Sequence, residues 1–178
     1  MADAVFTACF LNAMNRNCDI VGMANFAPIV NTRGCIYTYP EGIVLRSTYH
    51  VFDLYVNYLG DMVLDAWSEE SPAMRVTSKQ GEEKNVEMLD ILATKWSDRS
   101  GAAIAIVNKH PTERQSLTIS LPGREGKAVL YGISGESTES YNDVGRNEVE
   151  IQKEELGRFR NAMDLHVMPH SVSILQIV

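Results

Sequence analysis

From Asp61 onward the chain breaks into short apolar runs separated by turn residues, and this pattern constrains the fold more than any other feature of the sequence. The runs are Met62–Trp67, Val86–Lys95, Ala102–Asn108, Ser116–Leu121, Lys127–Ile133, Glu148–Ile151 and Val172–Val178. Short strands with frequent turn signals are the signature of an antiparallel β-sandwich. Within Ser116–Leu121, Leu117, Ile119 and Leu121 alternate with Ser116, Thr118 and Ser120, so one face points inward and the other outward. Pro122-Gly123 is expected to end that strand, and residues 68–84, rich in Glu, Ser and Lys, read as an exposed loop.

The first sixty residues have a different character. Residues 2–15 hold only four side chains outside the apolar set (Asp3, Thr7, Asn12, Asn15), and Phe6, Cys9, Phe10 and Ala13 recur at helical spacing. A largely buried helix is expected there. Asp19–Ala24 is short and apolar enough for a buried parallel strand. A second helix is expected over Ile43–Leu59, preceded by Pro40 and Glu41, striped by Leu45, Tyr49, Phe52, Val56 and Leu59, and capped by Gly60. The expected organisation is therefore a mainly β chain: an α/β helix-strand-helix segment over 1–60, then a jelly-roll-like antiparallel sandwich over 61–178. A single strand leaves its backbone groups unpaired, so upstream residues or another copy must complete it, and a homo-oligomer is expected.

Charge follows the same division, with three basic and four acidic residues in 1–60 out of 39 charged side chains in all. The first third reads as buried scaffold. A net charge of −7 without any Lys/Arg cluster excludes a nucleic-acid partner. No apolar run reaches the roughly 18 residues of a membrane span, and no basic stretch precedes the N-terminal apolar one, so neither membrane nor signal peptide is expected. Cys9, Cys18 and Cys35 are odd in number and lack metal spacing, which favours reduced thiols in a cytoplasmic protein.

The run Met23-Ala24-Asn25-Phe26-Ala27-Pro28-Ile29-Val30-Asn31-Thr32-Arg33-Gly34 and the helix-like stretch after it resemble the last strand, loop and helix of the catalytic (β/α)8 barrel of glycoside hydrolase family fifty-one, the α-L-arabinofuranosidases. The resemblance continues through Ile104-Ala105-Ile106-Val107-Asn108-Lys109-His110-Pro111 and Pro169-His170-Ser171-Val172-Ser173-Ile174-Leu175. It implies the C-terminal portion of a larger retaining enzyme, with Met1 lying inside the barrel domain. The substrate implied is an arabinose-containing oligo- or polysaccharide. The two catalytic glutamates would lie on earlier strands, so the resemblance assigns no catalytic residue to this chain.

The residues themselves agree with that. Retaining hydrolysis needs two carboxylates ~5 Å apart across one glycosidic bond. The scaffold third offers Asp3 and Glu41 at expected helix starts, Asp19 at the wrong end of a strand, and Asp53 in mid-helix. The candidate substrate-binding residues are Asn25, Phe26 and Asn31, in the loop leaving the C-terminal end of the strand. An amide there can exchange hydrogen bonds with sugar hydroxyls, or satisfy turn backbone instead. The resemblance also implies a substrate-contacting glutamine in this loop, at the position where this chain has Pro28. Arg33 could hold a carboxylate or cap the loop. His166 and His170 have metal-like spacing, but Pro169 between them breaks a shared helical face, so neither a metal nor a cofactor is expected. Gly132-Ile133-Ser134-Gly135 reads as a turn. Trp67, Trp96 and Tyr141 could form a sugar-stacking platform, which would suit the alternative reading of a non-enzymatic module binding carbohydrate or protein.

Overall fold

The computed structural model describes residues 1–178. Helix α1 (Ala2–Arg16) is followed by a loop, a hairpin of β1 (Ile36–Tyr39) and β2 (Gly42–Leu45), and helix α2 (Ser47–Tyr58). The strands β3 (Met62–Leu64), β4 (Ala73–Thr77), β5 (Glu83–Glu87), β6 (Leu89–Lys95), β7 (Ala102–Asn108), β8 (Gln115–Ile133), β9 (Gln152–Val167) and β10 (Ser171–Ile177) complete the chain. Six of them form one antiparallel sheet in the order β3-β6-β7-β10-β8-β9, while β4 and β5 make a separate hairpin.

Both faces of this sheet are covered. Toward one face point Leu92, Ala103, Ala105, Val107, Ile133, Val172 and Ile174, packed with Met1, Ala4 and Ala8 of the α1 region and Val51 and Leu54 of α2. The alanines on β7 and α1 let helix and sheet approach closely. On the other face, Ile104, Ile106, Leu175 and Ile177 pack with Ile119, Phe159, Leu165 and Val167. These last four come from the long β8–β9 ribbon, which bends and folds back over the sheet as the second layer of the sandwich. The bend is written in the register, which jumps from Ser120↔Ala162 to Glu125↔Arg160. Gly123 and Asn161 take positive φ there, and the Asn161 side-chain oxygen accepts the Gly123 N–H at 2.8 Å.

The expected sandwich is thus present, with differences of detail. Pro122-Gly123 does not end a strand; it marks the bulge inside one 19-residue strand, where a proline's missing donor is tolerated. Glu148–Ile151 forms no strand because the Asn142 side chain takes the place of a partner, accepting from the N–H groups of Glu148 and Val149 and donating to the Val149 carbonyl. The strand lies just beyond, as β9, whose density of charge suits a sheet edge exposed to water. Part of the stretch expected as loop, residues 68–84, forms β4 and the start of β5.

In the first sixty residues the corrections are larger. The stripe of α1 that faces the sheet is Ala4, Ala8 and Asn12; Phe6 and Phe10 face outward, 71% and 58% exposed. The strand expected at Asp19–Ala24 is not formed. Residues 17–20 turn, residues 21–26 carry no regular structure, and no neighbouring strand is present to pair with them. The expected helix Ile43–Leu59 starts only at Ser47, because Ile43–Leu45 pair with Ile36–Thr38 across the Pro40-Glu41 turn. Its buried face is Ser47, Thr48, Val51 and Leu54, whereas Val56 is exposed. Gly60 is not a left-handed cap: the Gln176 amide donates to the Tyr58 carbonyl at the helix end, and Gly60 lies against β6, where a Cβ would stand 2.2 Å from the Lys95 carbonyl oxygen.

Candidate functional site

The loop after α1 is held by its own turns. The Asn31 N–H donates to the Ile36 carbonyl at 2.8 Å and the Ile36 N–H to the Ile29 carbonyl at 3.1 Å. Asn31 and Thr32 adopt positive φ, a conformation asparagine tolerates. Gly34 passes so close that a Cβ would lie 2.4 Å from the Ile29 oxygen. Arg46 fastens the loop to both helices. Its guanidinium pairs with Asp3 at 3.1 Å, lies 5.1 Å from the Tyr37 ring centre, and donates to the carbonyls of Arg33 and Gly34.

Against this frame the three candidate substrate contacts separate. The Asn31 amide accepts from the Thr38 N–H at 2.8 Å and donates to the Thr38 hydroxyl at 2.9 Å, tying its turn to β1. Phe26 packs edge-on against Phe52 of α2, ring centres 5.4 Å apart, and anchors the loop to the helix while staying 38% exposed. Asn25 beside it is exposed, and its side chain has no protein partner. Asn25 and Phe26 therefore share one segment, while Asn31 is engaged within its own turn. Arg33 has an exposed side chain, and its carbonyl accepts from Arg46.

The hairpin also forms one wall of a cleft of about 360 Å³, lined by Ile43, Val44 and Leu45 of β2, His50 of α2, and the loop from Asn142 to Glu150. Asn142 closes its floor by donating to the Leu45 carbonyl at 2.9 Å, besides its bonds to Glu148 and Val149. Arg146 pairs with Glu148 at 2.7 Å and lies over the Tyr141 ring at 4.0 Å. Burial lowers the pKa of His50, opposed by Asp53 and Glu150. The cleft thus offers a neutral imidazole, amides, carboxylates and a guanidinium, groups suited to hydroxyl-rich ligands. Sequence reasoning missed His50, Asn142, Arg146 and Glu150. The only local signal was the turn-rich run Asn142-Asp143-Val144-Gly145-Arg146-Asn147.

The other candidates occupy ordinary structural places. Asp3 is paired with Arg46, Asp53 accepts from Asn57 at 2.6 Å, Glu41 lies in the hairpin turn, and Asp19 in the turn after α1. His166 is a strand residue bonded to Ser116 at 2.8 Å. His170 is buried in the β9–β10 turn, its ring nitrogens 2.8 and 2.9 Å from the carbonyls of Pro111 and Gly135. Trp67 is 82% exposed, Trp96 is half-buried with Arg99 over its ring, and Tyr141 lies under Arg146, so each has separate neighbours.

Residues 1–171 match the family described as alpha-L-arabinofuranosidase C-terminal domain. The probable alpha-L-arabinofuranosidase C of Aspergillus niger is 26% identical over 184 residues, covering 99% of this chain and 34% of the relative. Alpha-L-arabinofuranosidase C of Emericella nidulans is 24% identical with the same coverage. Among solved structures, the Thermotoga maritima alpha-L-arabinofuranosidase in complex with arabinose is 25% identical with a TM-score of 0.86, covering 98% of this chain and 38% of that one. The thermostable GH51 enzyme of Thermotoga petrophila is 26% identical with a TM-score of 0.85, covering 99% and 38%. The chain therefore spans about a third of the length of the curated relatives it matches.

Proposed function

This chain belongs to the alpha-L-arabinofuranosidase C-terminal domain family, and on that premise we propose that it is the C-terminal portion of a retaining enzyme that removes terminal α-L-arabinofuranosyl groups from arabinose-containing oligo- or polysaccharides. The observation that carries the reading is the similarity over nearly the whole chain to the arabinose-bound Thermotoga maritima enzyme, of which it covers 38%. The general acid and the nucleophile of such a reaction are two carboxylates flanking one bond, and here they are supplied by residues outside the chain.

What the chain itself supplies is a braced loop. The Arg46–Asp3 pair and the Phe26–Phe52 contact brace the segment from Phe26 to Arg46 against α1 and α2, and the Asn31–Thr38 bonds hold its turn to β1, leaving the Asn25 amide free to bond a sugar hydroxyl. Rigid placement of such groups lowers the entropic cost of positioning substrate. The three free cysteines accord with a reducing compartment, and we assign the enzyme to the cytoplasm. Reading the gene upstream of the codon for residue 1 tests the proposal. An in-frame barrel carrying two strand-end glutamates is expected, and an unrelated gene directly upstream would contradict it.

A further inference from the structure

A second cleft, of about 210 Å³, lies where the C-terminal end of α1 meets β6 and the segment following β3. Its chemistry is distinctive. β3 pairs with β6 as far as Leu64↔Ala93, and three residues further on the chain brings Trp67 into the lining of the cleft, which Asp90 of β6 also lines. Trp67 is 82% exposed, the most exposed large apolar side chain of the protein. An indole left in water forfeits the burial that usually stabilises it, which makes its face available to a ligand.

The floor is rigid. Asp90 receives Arg16 at 2.7 Å on Oδ1 and 3.3 Å on Oδ2, and Asn12 Nδ2 at 3.1 Å on Oδ1. Asn12 is fully buried and is itself fixed by the Tyr55 hydroxyl, which donates to its Oδ1 at 2.6 Å. Around this carboxylate the cleft presents Lys109, Glu87, Ser68 and Ser71, none of whose side chains has an ion-pair or hydrogen-bond partner in the protein. A carboxylate has about four acceptor sites, and Asp90 Oδ2 keeps capacity for one more donor.

The charged groups balance, Arg16 and Lys109 against Asp90 and Glu87, so the cleft attracts neither anions nor cations as a class. A flat apolar face beside both donors and acceptors matches a neutral ring bearing hydroxyls. We propose that this cleft binds a neutral oligosaccharide, with one sugar ring stacked on Trp67 and its hydroxyls bonded to Asp90, Lys109 and Glu87. The fit to a sugar ring stands on the cleft, and the choice of xylan-type sugars as its ligands rests on the hydrolase reading.

Titration of the full chain with xylohexaose and with an arabinoxylan-derived oligosaccharide, followed by tryptophan emission and calorimetry, tests it. At least one of the two sugars should give a saturable blue shift, retained in Trp96→Phe, with Kd in the range of about 0.1–10 mM. Trp67→Ala should weaken binding at least tenfold, and Lys109→Ala several-fold, with unchanged far-UV circular dichroism. Both substitutions are at the cleft surface and leave the buried Asn12–Asp90 contacts in place. No binding of either sugar at tens of millimolar, or binding undiminished in Trp67→Ala, would overturn the proposal, as would binding confined to an anionic polysaccharide such as polygalacturonate.

Discussion

Replacement of Phe159 by alanine probes the folded-back ribbon on which the sandwich depends. Phe159 lies on β9 two residues before Asn161 at the bend, is 0% exposed, and packs in the cluster that joins the ribbon to Ile104, Ile106, Leu175 and Ile177. Truncation removes the ring from a fully enclosed site. Burying an aromatic side chain withdraws roughly 150–250 Å² from water, worth about 4–6 kcal/mol at roughly 25 cal/mol per Å². Measured Phe→Ala losses of about 3–5 kcal/mol include the residual cavity. The expected loss of 3–5 kcal/mol is a large share of the roughly 5–15 kcal/mol that stabilises a domain. Urea unfolding followed by circular dichroism should show a lower midpoint with an unchanged slope. Phe10→Ala serves as the control. Its ring is 58% exposed, and its loss should be about 1 kcal/mol or less. A Phe159→Ala cost below about 1 kcal/mol, or equal costs at the two positions, would refute the assignment of faces.

Gly60→Ala should destabilise by about 1–3 kcal/mol in the same assay, since the new methyl would meet the Lys95 carbonyl at 2.2 Å; an unchanged midpoint would show that helix and strand separate easily. His50 has a folded pKa below its ordinary 6.5. Its unfolded form therefore takes up a proton first on acidification, and stability falls as pH drops below about 6.5. Comparing Tm at pH 7 and pH 5.5, the wild type should lose more than His50→Gln, and identical losses would remove His50 from the pH response. The exposed Phe6, Phe10, Ile20 and Met23 leave apolar surface in water, so the isolated chain should self-associate at tens of micromolar; light scattering that reports a clean monomer would contradict this.

The parts of the fold legible in the sequence were those where one residue's position fixes its environment. Alternation in Ser116–Leu121 marks a strand because side-chain period and burial coincide there, and the short apolar run of β7 marks a strand buried on both faces. Where long-range partners decide, the local pattern misled. Phe6 and Phe10 have the spacing of a core stripe, yet the sheet accommodates the alanine face of α1, because Ala103 and Ala105 leave room for close contact. Asp19–Ala24 has strand composition but no neighbour to pair with. The loop is legible from its position, but the engagement of Asn31 with Thr38 is not, since Thr38 pairs in a hairpin whose second strand overlaps the start of the expected helix Ile43–Leu59. The cleft around His50 and Asn142 joins residues nearly a hundred positions apart, and no periodicity reports such a meeting.

The most direct test of the account is the initial rate of arabinofuranosyl nitrophenol hydrolysis by the 178-residue chain alone, set beside the same chain extended upstream through the barrel. The extended protein should turn over at ordinary enzymatic rates, and Asn25→Ala in it should lose ~1–3 kcal/mol of transition-state stabilisation if its amide bonds the sugar. The chain alone should show no turnover above the uncatalysed reaction. Turnover by the 178 residues alone, abolished by a substitution at one of their own carboxylates such as Glu41, would contradict the claim that the catalytic pair lies elsewhere.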